Sequence, residues 1–122
     1  MGAPFPPEIL MKPTIVAKGV KLPQVLRDYV VRRLQFALSH AREAIGAVVV
    51  RISDQNGPKG GVDKQCRIQI TVPGMPSIIV SSKAGRIAEA IDLCAHRAAL
   101  AIDRLRSRTR SIEHARFPAL DS

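Results

Sequence analysis

Apolar residues recur along this chain at two different periods, and the switches between them divide it into six elements. Thr14 to Lys18 is short and β-branched, which predicts a first strand, ended by the turn-like Gly19 to Leu22. Pro23 suits the first turn of a helix. From there to about Leu38, the residues Leu26, Val30, Leu34 and Ala37 recur at helical spacing with Tyr29 beside them, while Asp28, Arg32 and Gln35 lie off the stripe. The period then falls to two. Val48, Val50 and Ile52 alternate with Val49 and Arg51, which predicts a strand buried on one face and ending at Ser53 and Asp54. Cys66, Ile68, Ile70 and Val72 alternate in the same way with Arg67, Gln69 and Thr71, and Pro73-Gly74 closes that strand with a turn. Ser77 to Ser82 predicts a fourth strand. After Lys83-Ala84-Gly85 a second helix runs from Arg86 to Arg110, with Ile87, Ile91, Cys94, Ala98, Ile102 and Leu105 on one stripe.

The order is therefore β-α-β-β-β-α. Short turns between the last three strands favour an antiparallel meander, and the helix after the first strand lets that strand lie parallel to the second. Both helices must bury their stripes on one face of the sheet, which leaves Arg51, Arg67, Gln69 and Thr71 on a face open to water. The expected fold is an α+β two-layer sandwich in the α/β class, a four-stranded mixed sheet with two helices on one face. At 122 residues the chain has room for one core and not for two. Residues 13–108 are expected to form the domain, 1–12 a flexible arm broken by Pro4, Pro6 and Pro7, and 109–122 a basic, disordered tail.

Charge sharpens this picture. Nineteen Lys+Arg against ten Asp+Glu give +9, and thirteen of the nineteen are arginines, whose planar fork holds phosphate bidentately. On the wheel of the last helix Arg86, Arg97, Arg104 and Arg108 share one flank, whereas Glu89, Asp92 and Asp103 fall away from it. Ordered cations without neighbouring acids point to a polyanion, and to nucleic acid ahead of a small acidic ligand. The plainer reading of such charge is a solvated, solubilising face.

Enzyme chemistry is not visible. His40 and His114 are isolated from any nucleophile or carboxylate pair. Cys94 and His96 have no second ligand pair at metal spacing, so no metal or other cofactor is expected. Cys66 and Cys94 fall in apolar phases and read as buried thiols, not as a secreted disulfide framework. The N-terminus lacks a basic start followed by an unbroken apolar stretch, and the longest apolar run, Ala44 to Val50, is too short to cross a bilayer. The expectation is a cytoplasmic protein with no membrane partner and no small-molecule substrate.

At this point the chain resembles the ribosome hibernation factor family, in its short form; hibernation promoting factor and ribosome-associated inhibitor A are members. The resemblance rests on Leu26-Arg27-Asp28-Tyr29-Val30 with Arg32-Arg33-Leu34 in the first helix, and on Ala90-Ile91-Asp92 followed by Arg97 in the last. Asn56 to Cys66 looks like the loop and strand of basic proteobacterial members, and the whole likeness runs from about Val16 to Arg108. It implies a non-enzymatic domain that binds ribosomal RNA of the small subunit between head and body and blocks the messenger and transfer RNA sites. Carried over by position, Arg32, Arg33 and Arg97 match basic residues of the family pattern. Arg86, Arg104 and Arg108 come from the wheel, and Lys59 and Lys64 from both. The chain departs from the pattern at Ala88, where the family often has an aromatic residue, and at His96, where it often has an acid.

Only Tyr29, Phe5, Phe36 and Phe117 are aromatic, and none falls on a strand, so the sheet offers no base-stacking platform and recognition is left to backbone and shape. Two other classes carry the same charge: a generic double-stranded-RNA or DNA binding module, and a protein-interaction domain for acidic partners. After Arg110 only twelve residues follow, too few for a second, dimer-forming domain, so a monomer is expected.

Overall fold

The structure, a computed structural model, describes residues 12–54 and 63–116, the last eight as backbone only. Residues 1–11 of the expected arm, Lys59 in its connection, and residues 117–122 lie outside the described residues. The elements are β1 (Thr14–Lys18), α1 (Gln24–Leu38), a 3-10 helix (Ser39–Ala44), β2 (Ala47–Asp54), β3 (Lys64–Thr71), β4 (Ile78–Ala84) and α2 (Ile87–Arg116). The sheet has the order β1-β2-β3-β4, with β1 parallel to β2 and the other two pairs antiparallel. This is the α+β sandwich that the periodicity predicts.

Alternation decides which face of the sheet is dry. Val48, Val50 and Ile52 on β2, Cys66, Ile68 and Ile70 on β3, and Ile78 and Ala84 on β4 are buried, while Arg51, Arg67, Gln69 and Thr71 are exposed on the other side. Val30, Leu34 and Leu38 of α1 and Ile91, Cys94, Ala98, Ile102 and Leu105 of α2 join the same core, so both helices cover one face. Pro23 starts α1 by accepting at its carbonyl from the amides of Leu26 and Arg27, at 2.9 and 3.1 Å. The Pro73-Gly74 turn works as read: Met75 N–H donates to the Val72 carbonyl at 3.0 Å, and Gly74 has φ +79°, the left-handed position that a type II turn needs after its proline.

Two polar side chains are drawn into this packing. Ser82 shares the inner face of β4, and its hydroxyl donates to the Ala90 carbonyl of α2 at 2.6 Å, so its burial leaves no unmet group. Cys66 and Cys94 are both buried and unbridged, as expected, with Cys94 Sγ 3.3 Å from the Cys66 carbonyl. A hydrogen bond from Cys94 and then burial push the Cys66 thiol up, away from the thiolate that would react. Cys94 is buried and His96 exposed, so these two side chains do not converge.

The helices are tied through Asp92, whose Oδ1 accepts from the Tyr29 hydroxyl and from Arg33 Nε. Hydrogen bonding to that carboxylate raises the Tyr29 pKa above its ordinary value, with burial adding to it. Replacing Asp92 with alanine should cost about 1 kcal/mol in a urea titration, the value of a half-exposed charged hydrogen-bond pair, with no loss of the cooperative transition.

α2 runs past residue 108, the expected end of the domain, as far as Arg116. Thr109 to Arg116 contains neither Gly nor Pro, so nothing in it breaks a helix already nucleated on the core.

Candidate nucleic-acid interface

The arginine flank of α2 follows the open edge of the sheet. α2 lies over β3 and β4 and against α1. Its acidic side faces α1, where Asp92 meets Tyr29 and Arg33, and Asp103 Oδ1 lies 2.6 Å from His40 Nε2. The opposite flank therefore faces β4, whose outer edge has no neighbouring strand among the described residues. Arg97 Nη1 donates to the Ser81 carbonyl of that strand at 2.5 Å. Arg104 and Arg108, both exposed, line a groove of about 610 Å³ with Pro76, Ser77, Ile78 and Ile79 at the start of β4. Arg97, Arg104 and Arg108 thus form one line of cations between helix and strand edge. Exposed guanidinium groups in a row suit phosphate oxygens, which they can bind bidentately.

The other sequence-derived candidates divide. Arg86 is exposed immediately before α2, at the end of the sheet where the register pairs Lys64 with Ala84. Arg32 is exposed on α1. Arg33 lies across α2 from the row, with Nε 3.2 Å from Asp92 Oδ1, so its charge is partly spent inside the molecule. Lys64 is bracketed by two carboxylates, with Nζ 3.2 Å from Asp54 Oδ2 and 3.2 Å from Asp63 Oδ1. Its pKa is raised by the hydrogen bond to Asp54 first and to Asp63 second. Asp63 is buried, and its Oδ2 has no partner among the described residues. Lys64 therefore neutralises a buried acid as well as presenting charge. Lys59 lies outside the described residues.

Sequence reasoning did not single out Arg106, whose Nη1 donates to the His40 carbonyl at 3.2 Å and so pins the 3-10 helix to α2. Its wheel position, on the α1 side of the stripe, is the signal that separates it from the row. Among the described residues no group of three or more His, Cys, Asp and Glu side chains could hold a metal ion. No described helix is long and apolar enough to cross a membrane.

A four-stranded mixed sheet with two helices on one face, and a cationic row along its edge, defines a small α+β domain. The model of the sigma 54 modulation protein / S30EA ribosomal protein family matches residues 14–110, and the chain belongs to that family. No curated protein matches it. Among solved structures it is similar to a ribosomal subunit interface protein from Coxiella burnetii, with TM-score 0.69, 15% identity, and coverage of 78% of this chain and 97% of that one. It is also similar to the N-terminal domain of Protein Y from Thermus thermophilus, with TM-score 0.62, 18% identity, and coverage of 79% and 98%. At these identities the two likenesses speak for the fold.

Proposed function

We propose that this protein is a ribosome-associated inhibitor of translation, a bacterial hibernation factor that binds the small subunit through ribosomal RNA and occupies the messenger and transfer RNA sites. The observation that carries the reading is the row Arg97, Arg104 and Arg108 along the β4 edge, segregated from the acids of the same helix, in a domain of this family. The family makes the ribosome the partner; the row supplies the chemistry, cations aimed at phosphate. It acts by occupancy and not by catalysis, as a cytoplasmic monomer without a cofactor. The basic residues Arg32, Arg86, Lys59 and Lys64 are proposed to extend the contact, and Arg33 to add to it from its pair with Asp92.

Co-sedimentation tests the reading. The protein should pellet with small subunits and with whole ribosomes, and the affinity should fall steeply between low and moderate salt, since each phosphate contact contributes about 0.7–0.9 to the slope of log K against log salt. Binding indifferent to salt, or equal preference for free duplex RNA, sinks it; the latter result makes the chain a generic double-stranded-nucleic-acid module.

A further inference from the structure

The open face of the sheet carries cations of its own. Register places Arg51 directly opposite Arg67 on the neighbouring strand. Lys18 pairs with Ser53, one diagonal step from Arg51, and Lys83 pairs with Gln65, one diagonal step from Arg67. All four side chains belong to exposed positions on the face away from the helices. They form a zigzag over four strands, roughly 14 Å across at about 4.8 Å per strand. Among the described residues no acid shares this face: Asp54 and Asp63, the acids nearest to it in sequence, are both engaged by Lys64. Among the described residues none of the four cations makes an ion pair.

Arginines directly opposite each other on a sheet repel, so the Arg51–Arg67 pair costs the folded domain stability that an anion would return. A concavity of about 190 Å³ lies between them, lined by Val16, Lys18, Arg51, Ser53, Gln65 and Arg67. That is several times the ~30 Å³ share of a water molecule, and enough for a phosphate. The strip also leads somewhere. Arg67 is paired with Ser81, and the Ser81 carbonyl is the one that Arg97 grips at the β4 edge. The open-face cations and the α2 row are therefore joined around that edge.

We propose that the open face of the sheet is the continuation of the RNA-binding surface, with Lys18, Arg51, Arg67 and Lys83 holding the RNA backbone as it passes round β4 from the α2 row. The proposal rests on the ribosomal RNA reading above. RNA is favoured over an acidic protein because the cations are flanked by Gln69, Thr71 and Ser81, exposed hydrogen-bonding groups suited to sugar hydroxyls and phosphates. Among the described residues the face has none of the aromatic anchors on which protein interfaces concentrate their affinity.

The test uses the full chain, with ribosomes and protein-free ribosomal RNA as two separate targets at several salt concentrations. Arg51→Gln with Arg67→Gln should weaken binding to both targets about tenfold or more and lower the salt slope by about 1–2. Its thermal midpoint should stay equal to the parent's or rise, because a repulsive pair is removed. Arg51→Lys with Arg67→Lys, which keeps the charge and loses the fork, should recover the slope but not the full affinity. Lys18→Gln with Lys83→Gln, which leaves the central pair in place, should weaken binding severalfold and gives the same reading if the glutamine pair misfolds. Undiminished binding by the glutamine variants, while reversal of Arg104 and Arg108 abolishes it, overturns the open-face proposal and leaves the proposed function standing. A loss on ribosomes with none on protein-free RNA also overturns it, and assigns the face to an acidic protein. Failure of the parent protein to bind either target removes the proposed function, and this inference with it.

Discussion

Replacing Ile91 with aspartate should abolish the cooperative unfolding transition. Ile91 is 1% exposed, in the stripe of α2 that faces the sheet and within the buried hydrophobic core. Burial of an unpaired charge costs roughly several kcal/mol, and the lost isoleucine packing adds to it, against a total stability of about 5–15 kcal/mol for a domain of this size. Ile91→Val is the control: it removes one methyl group, should cost about 1 kcal/mol, and should keep the transition. Circular dichroism under urea reads both. An aspartate variant as stable as its parent means that α2 is rotated from the phase described.

Reversing Arg104 and Arg108 to glutamate should lower ribosome affinity at least about a hundredfold while leaving the fold intact. Each charge-assisted contact to phosphate is worth about 1.5–3 kcal/mol, and each glutamate adds repulsion where attraction stood. Both side chains are exposed, and exposed charges contribute little to stability. They are chosen ahead of Arg97, which also holds the Ser81 carbonyl and so has a structural task. The matched control is Lys21→Glu with Arg42→Glu, an equal change in net charge at exposed positions off the row. Co-sedimentation separates the cases. If the control loses the ribosome as completely as the row variant, net charge governs binding and the row has no special place.

How much of this was legible in the residue pattern depends on how far apart in sequence the interacting groups lie. The strands and both helices were legible because alternation and the helical stripe are local consequences of one buried face, as Val48-Val50-Ile52 and Ile91-Cys94-Ala98 show. The 3-10 helix at Ser39–Ala44 was not, since its anchor, Arg106 on the His40 carbonyl, is supplied by a residue far along the chain. The arginine flank of α2 could be drawn on a wheel. The true neighbours of Arg33 could not, because Asp92 reaches it only through helix packing, and Lys64 meets Asp54 across a strand pairing. The juxtaposition of Arg51 and Arg67 is likewise a matter of register, which a period of two leaves undetermined.

The outer edge of β4 invites a reading that concerns copies of the chain rather than its partner. A bare strand edge offers unpaired amides and carbonyls on which another strand can polymerise, and proteins blunt such edges with charge. Here Arg97 occupies the Ser81 carbonyl, and Arg104 and Arg108 line the groove beside the strand's first residues. A second copy approaching edge to edge would bring its own arginines against these. Repulsion within the row thus opposes the use of β4 as a template for self-assembly, and an anion that neutralises the row lifts that opposition unless it also covers the edge.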